Sequence, residues 1–459
     1  MKHLCKNSIA LFLLLFLINT LIAQQRERPN ILMIAVDDLR PELGCYGNTL
    51  IHSPNIDKLA SEGVVFKNSY CNIPVCGASR ASILTGTRPT QHRFSRHYDR
   101  ADEQHPSAVY LAQHFKNNGY TTLSNGKISH IKDDHAASWD VNWRLQLNGS
   151  SYRDYVLPKN KELEKGKTAR GPSYEIAEVP DSAYKDGRLA LKVIKDIQRL
   201  KNSDQPFFLT AGFVKPHLPF NAPKKYWDLY ERSDFKPVGQ IKLPENAPKQ
   251  AFHNFGELRN YHGIPKKGAI SDSLSITLQH GYYATISYVD KLIGDVLEAL
   301  EESGLRENTI VLLWGDHGWN LGDHGLWCKH CNFNTSLQAP LIISAPNLAK
   351  GATTESLVEF IDIYPTLTDL CGLETPRTVE GKSLLPLLQK PNAHHKDYII
   401  SKWRKGLTIK TKRYAYTEWR DEKTDTLIAE MLYDHAEDPD ELNNLIGDPR
   451  YEALTAYLS

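Results

Sequence analysis

The sequence has almost no excess charge of either sign: 55 Lys and Arg against 54 Asp and Glu leave a formal net charge of +1 over 459 residues. A global basic field of the kind that draws a protein to nucleic acid is therefore excluded, and anion recognition has to be local. Long apolar runs are scarce as well. The one that stands out covers Ile9 to Ile18, preceded by Lys2, His3 and Lys6 and followed, after Ala23, by the polar string Gln24-Gln25-Arg26-Glu27-Arg28. That arrangement predicts a secretory signal peptide over residues 1–23. No other segment approaches the length needed to cross a bilayer, so the mature chain is expected to have no membrane span. Cysteine is sparse too. Once Cys5 leaves with the leader, six remain: Cys45, Cys71, Cys76, Cys328, Cys331 and Cys371. Cys328-Lys329-His330-Cys331 looks like half a zinc site, but a second ligand pair at the usual spacing is missing. No cysteine follows the expected cleavage point to suggest a lipid anchor, and there are no internal repeats or low-complexity tracts.

What the chain does offer is alternation. Ile31 to Val36 is a continuous apolar run that ends in Asp37-Asp38, and Thr309 to Trp314 is another, ending in Gly315-Asp316-His317-Gly318. Both have the texture of parallel strands buried on two faces. Between them, Tyr120 to Ser124 and Pro206 to Phe213 read as strands, and Ser107 to Asn117, Leu189 to Leu200 and Ala284 to Glu302 read as helices. The pattern predicts an α/β fold with a doubly wound sheet. From about Pro391 the runs shorten: Tyr398 to Ile400, Gly406 to Ile409, Tyr414 to Trp419 and Met431 to Tyr433. They predict a catalytic domain over 24–390 and a small C-terminal antiparallel domain over 391–459.

In open α/β sheets, ligands bind at the carboxyl ends of the strands, which is where Asp37, Asp38, Asp316 and His317 fall. Taken singly, such residues also serve as helix caps or turn formers. Together they offer carboxylates and an imidazole suited to a hard cation, Ca²⁺ above Mg²⁺. Cys76 lies about one turn before Arg80 at a predicted helix start, where unpaired N–H groups favour a thiolate and hold an anion. A buried structural cysteine gives the same local pattern. Lysines and histidines also follow strand ends, at Lys127 and His130, at Lys215 and His217, and at Lys329. They are either solvated loop residues or cations and proton carriers for an anionic ester. Arg93, Arg96, His97 and Arg100 form a basic cluster that reads equally as a solvated loop or as a binder of acidic sugars.

Cys76-x-Ala78-Ser79-Arg80, followed by Leu84-Thr85-Gly86 and Arg88, resembles the signature of the formylglycine-dependent sulfatases, with Ala78 where proline is more usual. Lys215-Pro216-His217-x-Pro219-Phe220 and the run from Gly315 to Lys329 are similar to the iduronate-2-sulfatase-like branch of that family. Glu359 to Leu367, Gly381 to Leu385 and Arg413 to Trp419 extend the similarity over nearly the whole mature chain.

The resemblance implies an alkaline-phosphatase-like mixed sheet with helices on both faces and one Ca²⁺ held by Asp37, Asp38, Asp316, His317 and residue 76. It also implies that a maturation enzyme oxidises Cys76 to formylglycine, whose hydrate attacks sulfur. Asp316 is then the base for that attack, while Arg80, Lys127 and Lys329 neutralise sulfate oxygens. His217, with Lys329, protonates the leaving oxygen, and His130 drives sulfate release. Lys215, Arg93, Arg96 and His97 are the expected substrate contacts, with Trp403 and Arg404 at the rim. The substrate class it implies is a sulfated polysaccharide, either a uronate-containing glycosaminoglycan or an algal glycan such as ulvan or carrageenan. The leucine-rich leader favours a bacterial enzyme exported to the periplasm or beyond. Two alternatives share the scaffold: a phosphatase or phosphodiesterase, and a sulfated-glycan binder that is never matured.

Overall fold

The apolar run after Pro29 is strand β1 (Asn30–Val36), and all seven of its residues are buried. In this computed structural model, residues 28–145, 153–164, 170–237, 239 and 242–459 are described. The expected signal peptide lies outside them. β1 runs through an eight-stranded sheet with β2 (Val64–Tyr70), β3 (Thr121–Gly126), β4 (Val141–Trp143), β6 (Phe207–Phe213), β8 (Thr309–Gly315), β11 (Leu341–Ser344) and β12 (Ala352–Glu359). The order is β12-β2-β11-β8-β1-β6-β3-β4, and only β11 runs antiparallel to its neighbours. The sheet is therefore mixed, and β8, β1, β6 and β3 form a parallel centre whose carboxyl ends lie side by side.

Alternate residues of β1 serve two cores, which is what winding helices on both faces requires. Leu32 and Ile34 pack with the helices α2 (Lys185–Leu200) and α3 (Asp272–Glu302). Ile31, Met33 and Ala35 pack on the other face with Ala81, Ile83 and Leu84 of α1 (Cys76–Thr85). α3 begins at Asp272, well before the expected Ala284, because the Ser271 hydroxyl caps it by accepting from the Leu274 N–H at 3.4 Å.

Two small pieces sit beside the carboxyl ends of the central strands. β5 (Tyr174–Ala177) pairs in parallel with β7 (Phe220–Pro223), and β9 (Asn320–Leu321) forms a hairpin with β10 (Trp327–Cys328). The C-terminal region contains the expected antiparallel sheet: β13 (Tyr398–Trp403), β14 (Gly406–Thr411), β15 (Tyr414–Arg420) and β16 (Leu427–Asp434). Its backbone is stitched to the site side of the large domain by the Lys402 N–H donating to Asn72 O and by Asn332 Nδ2 donating to Gly406 O. Among the described residues, no helix is long and apolar enough to cross a membrane.

Candidate active site

The ladder of the central sheet carries the site residues into place. Past the last paired residues, Asp37 N donates to Phe213 O, Asp316 N to Val36 O and Lys127 N to Gly212 O. Asp37 and Asp38, and Asp316 and His317, therefore leave the adjacent strands β1 and β8, and Lys127 leaves β3 on the far side of β6, all on one edge. Asp38 turns there with a φ of 59°, a conformation that Asp tolerates better than most residues. α1 starts directly opposite. The residue after Cys76 has to be glycine: a Cβ on Gly77 would lie 1.9 Å from the His97 carbonyl oxygen. That close approach also brings the 97 loop against the cysteine.

Arg80 is wholly buried and ties the acidic ends together. Its Nε donates to Asp316 Oδ2 at 2.8 Å, one terminal nitrogen to Asp37 Oδ1 at 3.2 Å, and the other to the carbonyls of Lys127 and Ile128. The Lys127 ammonium pairs with Asp37 Oδ2. Lys329 reaches both oxygens of Asp38, at 3.1 and 3.0 Å. Burial opposes ionisation of Asp37, but Lys127, Arg80 and His217 outweigh it and hold the carboxyl well below its usual range.

His317 Nε2 lies 3.2 Å from Cys76 Sγ, 3.4 Å from Asp38 Oδ1 and 3.7 Å from Asp316 Oδ1. The Asp38 N–H donates to Asp316 Oδ1 at 3.0 Å. Donor atoms of Asp37, Asp38, Cys76 and His217 lie within 4.8 Å of one another, as do those of Cys76, Asp316 and His317. Three carboxylates gathered this tightly, with an imidazole and space at residue 76, suit a hard divalent cation. The donor set thus fits the expected metal, with His217 an additional neighbour.

The helix start does not give a thiolate. Burial, and then Asp37, push the Cys76 thiol well above its ordinary value, so the sequence-based expectation of an easily ionised cysteine is corrected.

The cysteine faces a cavity of about 510 Å³ lined by His97, Lys127, His130, His217 and Lys329, with Glu257 and His330 completing one wall. Burial and the Lys127 charge lower the His130 pKa to about 2, so its imidazole is neutral near pH 7. This has a measurable cost. The unfolded histidine takes up a proton below about 6.5 and the folded one does not, so stability is full above that pH and falls as pH drops below it. Relative to His130→Gln, the wild type should lose about 2 kcal/mol between pH 7 and pH 5. Urea titrations at the two pH values measure the difference, and parallel losses would refute it.

Other expected contacts are placed elsewhere. Lys215 is a correction: its ammonium donates to the carbonyls of His217 and Pro219, bracing its own loop rather than facing the cavity. Arg93 pairs with Glu380, Arg96 donates to Tyr98 Oη, and Arg100 pairs with Asp102 and Asp133. Of that basic cluster, only His97 lines the cavity. Trp403 stacks on His330 at 4.9 Å between ring centroids. Cys331 hydrogen-bonds with Ser336 rather than joining a zinc site, and all six cysteines from Cys45 onward are free.

Glu257, Arg144 and Arg170 also line the cavity and were not expected there. Glu257 and Arg170 lie away from strand ends, Arg144 follows the three-residue β4, and no motif marks any of them. Arg144 supports the 126–130 loop by donating to the carbonyls of Gly126, Ser129 and His130.

A mixed eight-stranded sheet thus brings acidic groups, a helix-start cysteine and cations together at one edge, the arrangement of an α/β protein with its site at the carboxyl ends of its strands. Solved structures agree on the fold. A phosphonate monoester hydrolase from Silicibacter pomeroyi superposes with a TM-score of 0.77 at 22% identity, covering 94% of this chain and 93% of that one. A 2-O GAG sulfatase superposes with a TM-score of 0.70 at 24% identity, covering 94% and 90%. The Sulfatase family model matches residues 29–373, and the model for the N-sulphoglucosamine sulphohydrolase C-terminal region matches 322–459. Iduronate 2-sulfatase of Mus musculus is 33% identical over 392 residues, covering 76% of this chain and 69% of that protein. A sulfatase of Formosa agariphila is 31% identical over 472 residues, covering 95% and 87%. The chain belongs to the sulfatase family and is a sulfuric ester hydrolase.

Proposed function

We propose that the protein removes sulfate from a sulfated polysaccharide or its oligosaccharides, using a formylglycine made from Cys76 and one Ca²⁺. The observation that carries this reading is the meeting of Cys76 with Asp37, Asp38, Asp316 and His317 at the floor of a cavity walled by lysine and histidine. Residues 24–390 form the catalytic domain in this reading and 391–459 its C-terminal cover. Residues 1–23 direct the chain out of the cytoplasm. The substrate class draws support from relatives named iduronate 2-sulfatase and ulvan-active sulfatase, the latter 28% identical.

When present, the two groups would supply an oxygen nucleophile and a divalent positive charge. The chain's own residues do the rest. Asp37, Asp38, Asp316 and His317 would hold the cation, and Asp316 would serve as the base beside residue 76. Lys127 and Lys329 balance the sulfate oxygens as charge moves, while Arg80, expected beside them, has its donors taken by Asp316, Asp37 and two carbonyls and holds the acidic strand ends instead. His217 and Lys329 protonate the departing sugar oxygen, and neutral His130 accepts the proton that frees sulfate. His97 and His330 stand where the sugar enters.

Mass spectrometry of the Cys76 peptide from the native host tests the reading. Formylglycine is expected, and an unmodified thiol would refute it in favour of a sulfated-glycan binder. Exhaustive chelation should lower sulfate release and readdition of Ca²⁺ restore it; indifference to chelation would remove the metal from the proposal.

A further inference from the structure

Among the described residues lining the cavity, Glu257 is the one carboxylate. A fixed negative charge in a pocket for a sulfate ester opposes binding, so its presence requires a compensating role. Its surroundings indicate that role. Oε1 accepts from Lys329 Nζ at 3.1 Å and lies 3.0 Å from His217 Nε2. The other side of Lys329 is held by Asp38. His217 Nδ1 lies 2.6 Å from the Leu218 carbonyl, which can only accept, so Nδ1 carries a hydrogen and Nε2 is the atom turned to the cavity. The backbone beneath Glu257 is braced by Arg259, whose guanidinium donates to the carbonyls of Asn254, Pro265 and Gly268. Burial opposes ionisation of Glu257, but Lys329 and His217 outweigh it and hold its carboxyl well below the usual range.

We propose that Glu257 is a positioning residue that clamps His217 and Lys329 together as the pair that protonates the leaving oxygen. This rests on the roles given to those two residues above. As the ester S–O bond breaks and sulfur passes to the oxygen nucleophile at residue 76, the departing oxygen takes a proton from His217 or Lys329. Glu257 keeps its charge throughout, losing the pull of one donor and retaining the other. Without its charge, both donors lose their aim, and the loss grows with the basicity of the leaving oxygen.

The test uses the full-length matured enzyme and three aryl esters that share the sulfuryl group: 4-nitrophenyl, phenyl and 4-methoxyphenyl sulfate. For Glu257→Gln, kcat on 4-methoxyphenyl sulfate should fall about 100-fold, the size of a general-acid contribution. On 4-nitrophenyl sulfate, whose leaving group departs without a proton, it should stay within about threefold, with KM little changed on all three. Glu257→Asp, which keeps the charge, should recover part of the loss. An equal fall on all three esters, or no fall on any, overturns the assignment. Failure of the nucleophile at residue 76 would instead silence the wild type on all three and remove the basis for both readings.

Discussion

Replacing Cys76 with alanine should abolish sulfate release, by about 10⁴-fold or more, while leaving the fold intact. The side chain lost is one sulfur atom, 3% exposed, whose neighbours are His317 at 3.2 Å and Asp38 at 3.7 Å. Stability should shift by about 1 kcal/mol or less, so the unfolding midpoint separates lost chemistry from lost structure. Cys76→Ser should be equally inactive in a host that oxidises only cysteine. A serine ester of sulfate would have to be hydrolysed by water, whereas a hydrated aldehyde can expel sulfate by collapsing back to the carbonyl. Turnover by the alanine variant near the wild-type rate would overturn the role of residue 76.

The second large effect is expected at Arg80. Lysine there keeps the charge but cannot address Asp316, Asp37 and two carbonyls at once, because the guanidinium spreads five donors over three nitrogens in a rigid planar fork while an ammonium has three on one atom. Asp37 and Asp316 would stay buried with one shared partner fewer, at a cost of about 3–5 kcal/mol in unfolding free energy. The rate should fall by about 10²–10³-fold, since the same side chain fixes both acidic strand ends and the carbonyls under Lys127. Denaturant unfolding and kcat/KM together measure it. A variant within about threefold of the wild type in kcat/KM would show that Lys127 and the acidic cluster hold their places without it.

The parts of the protein that could be read from its sequence are those where one residue pattern answers to one environment. β1 and β8 show as unbroken apolar runs because helices cover both their faces, and acidic residues at their ends mark where the apolar environment stops. The C-terminal hairpins show through alternation and short turns. β2 (Val64–Tyr70) and β12 (Ala352–Glu359) escaped notice because polar residues interrupt their apolar runs on the sheet's outer flank. β11 is only four residues long, too short to stand out. In the site, residues one step from the ends of β1, β3 and β8 were legible. Glu257 was not, since its place depends on a loop folded by Arg259. Lys215 was legible in position but not in direction: only the fold shows its ammonium turned back onto its own loop.

All ten residues of α1 are buried, and this sets a timetable for the molecule. The proposed maturation needs another enzyme to reach Cys76, yet the folded protein offers that residue only inside a cavity and holds the rest of the stretch to Arg80 buried. If residue 76 is matured as proposed, its modification is expected to be completed while the chain is still being made or exported. A molecule that closes with its thiol intact is committed to that state, and an overexpressed sample would hold two permanent populations in a ratio fixed at synthesis. Specific activity would then report the history of each preparation as much as the quality of its catalytic site.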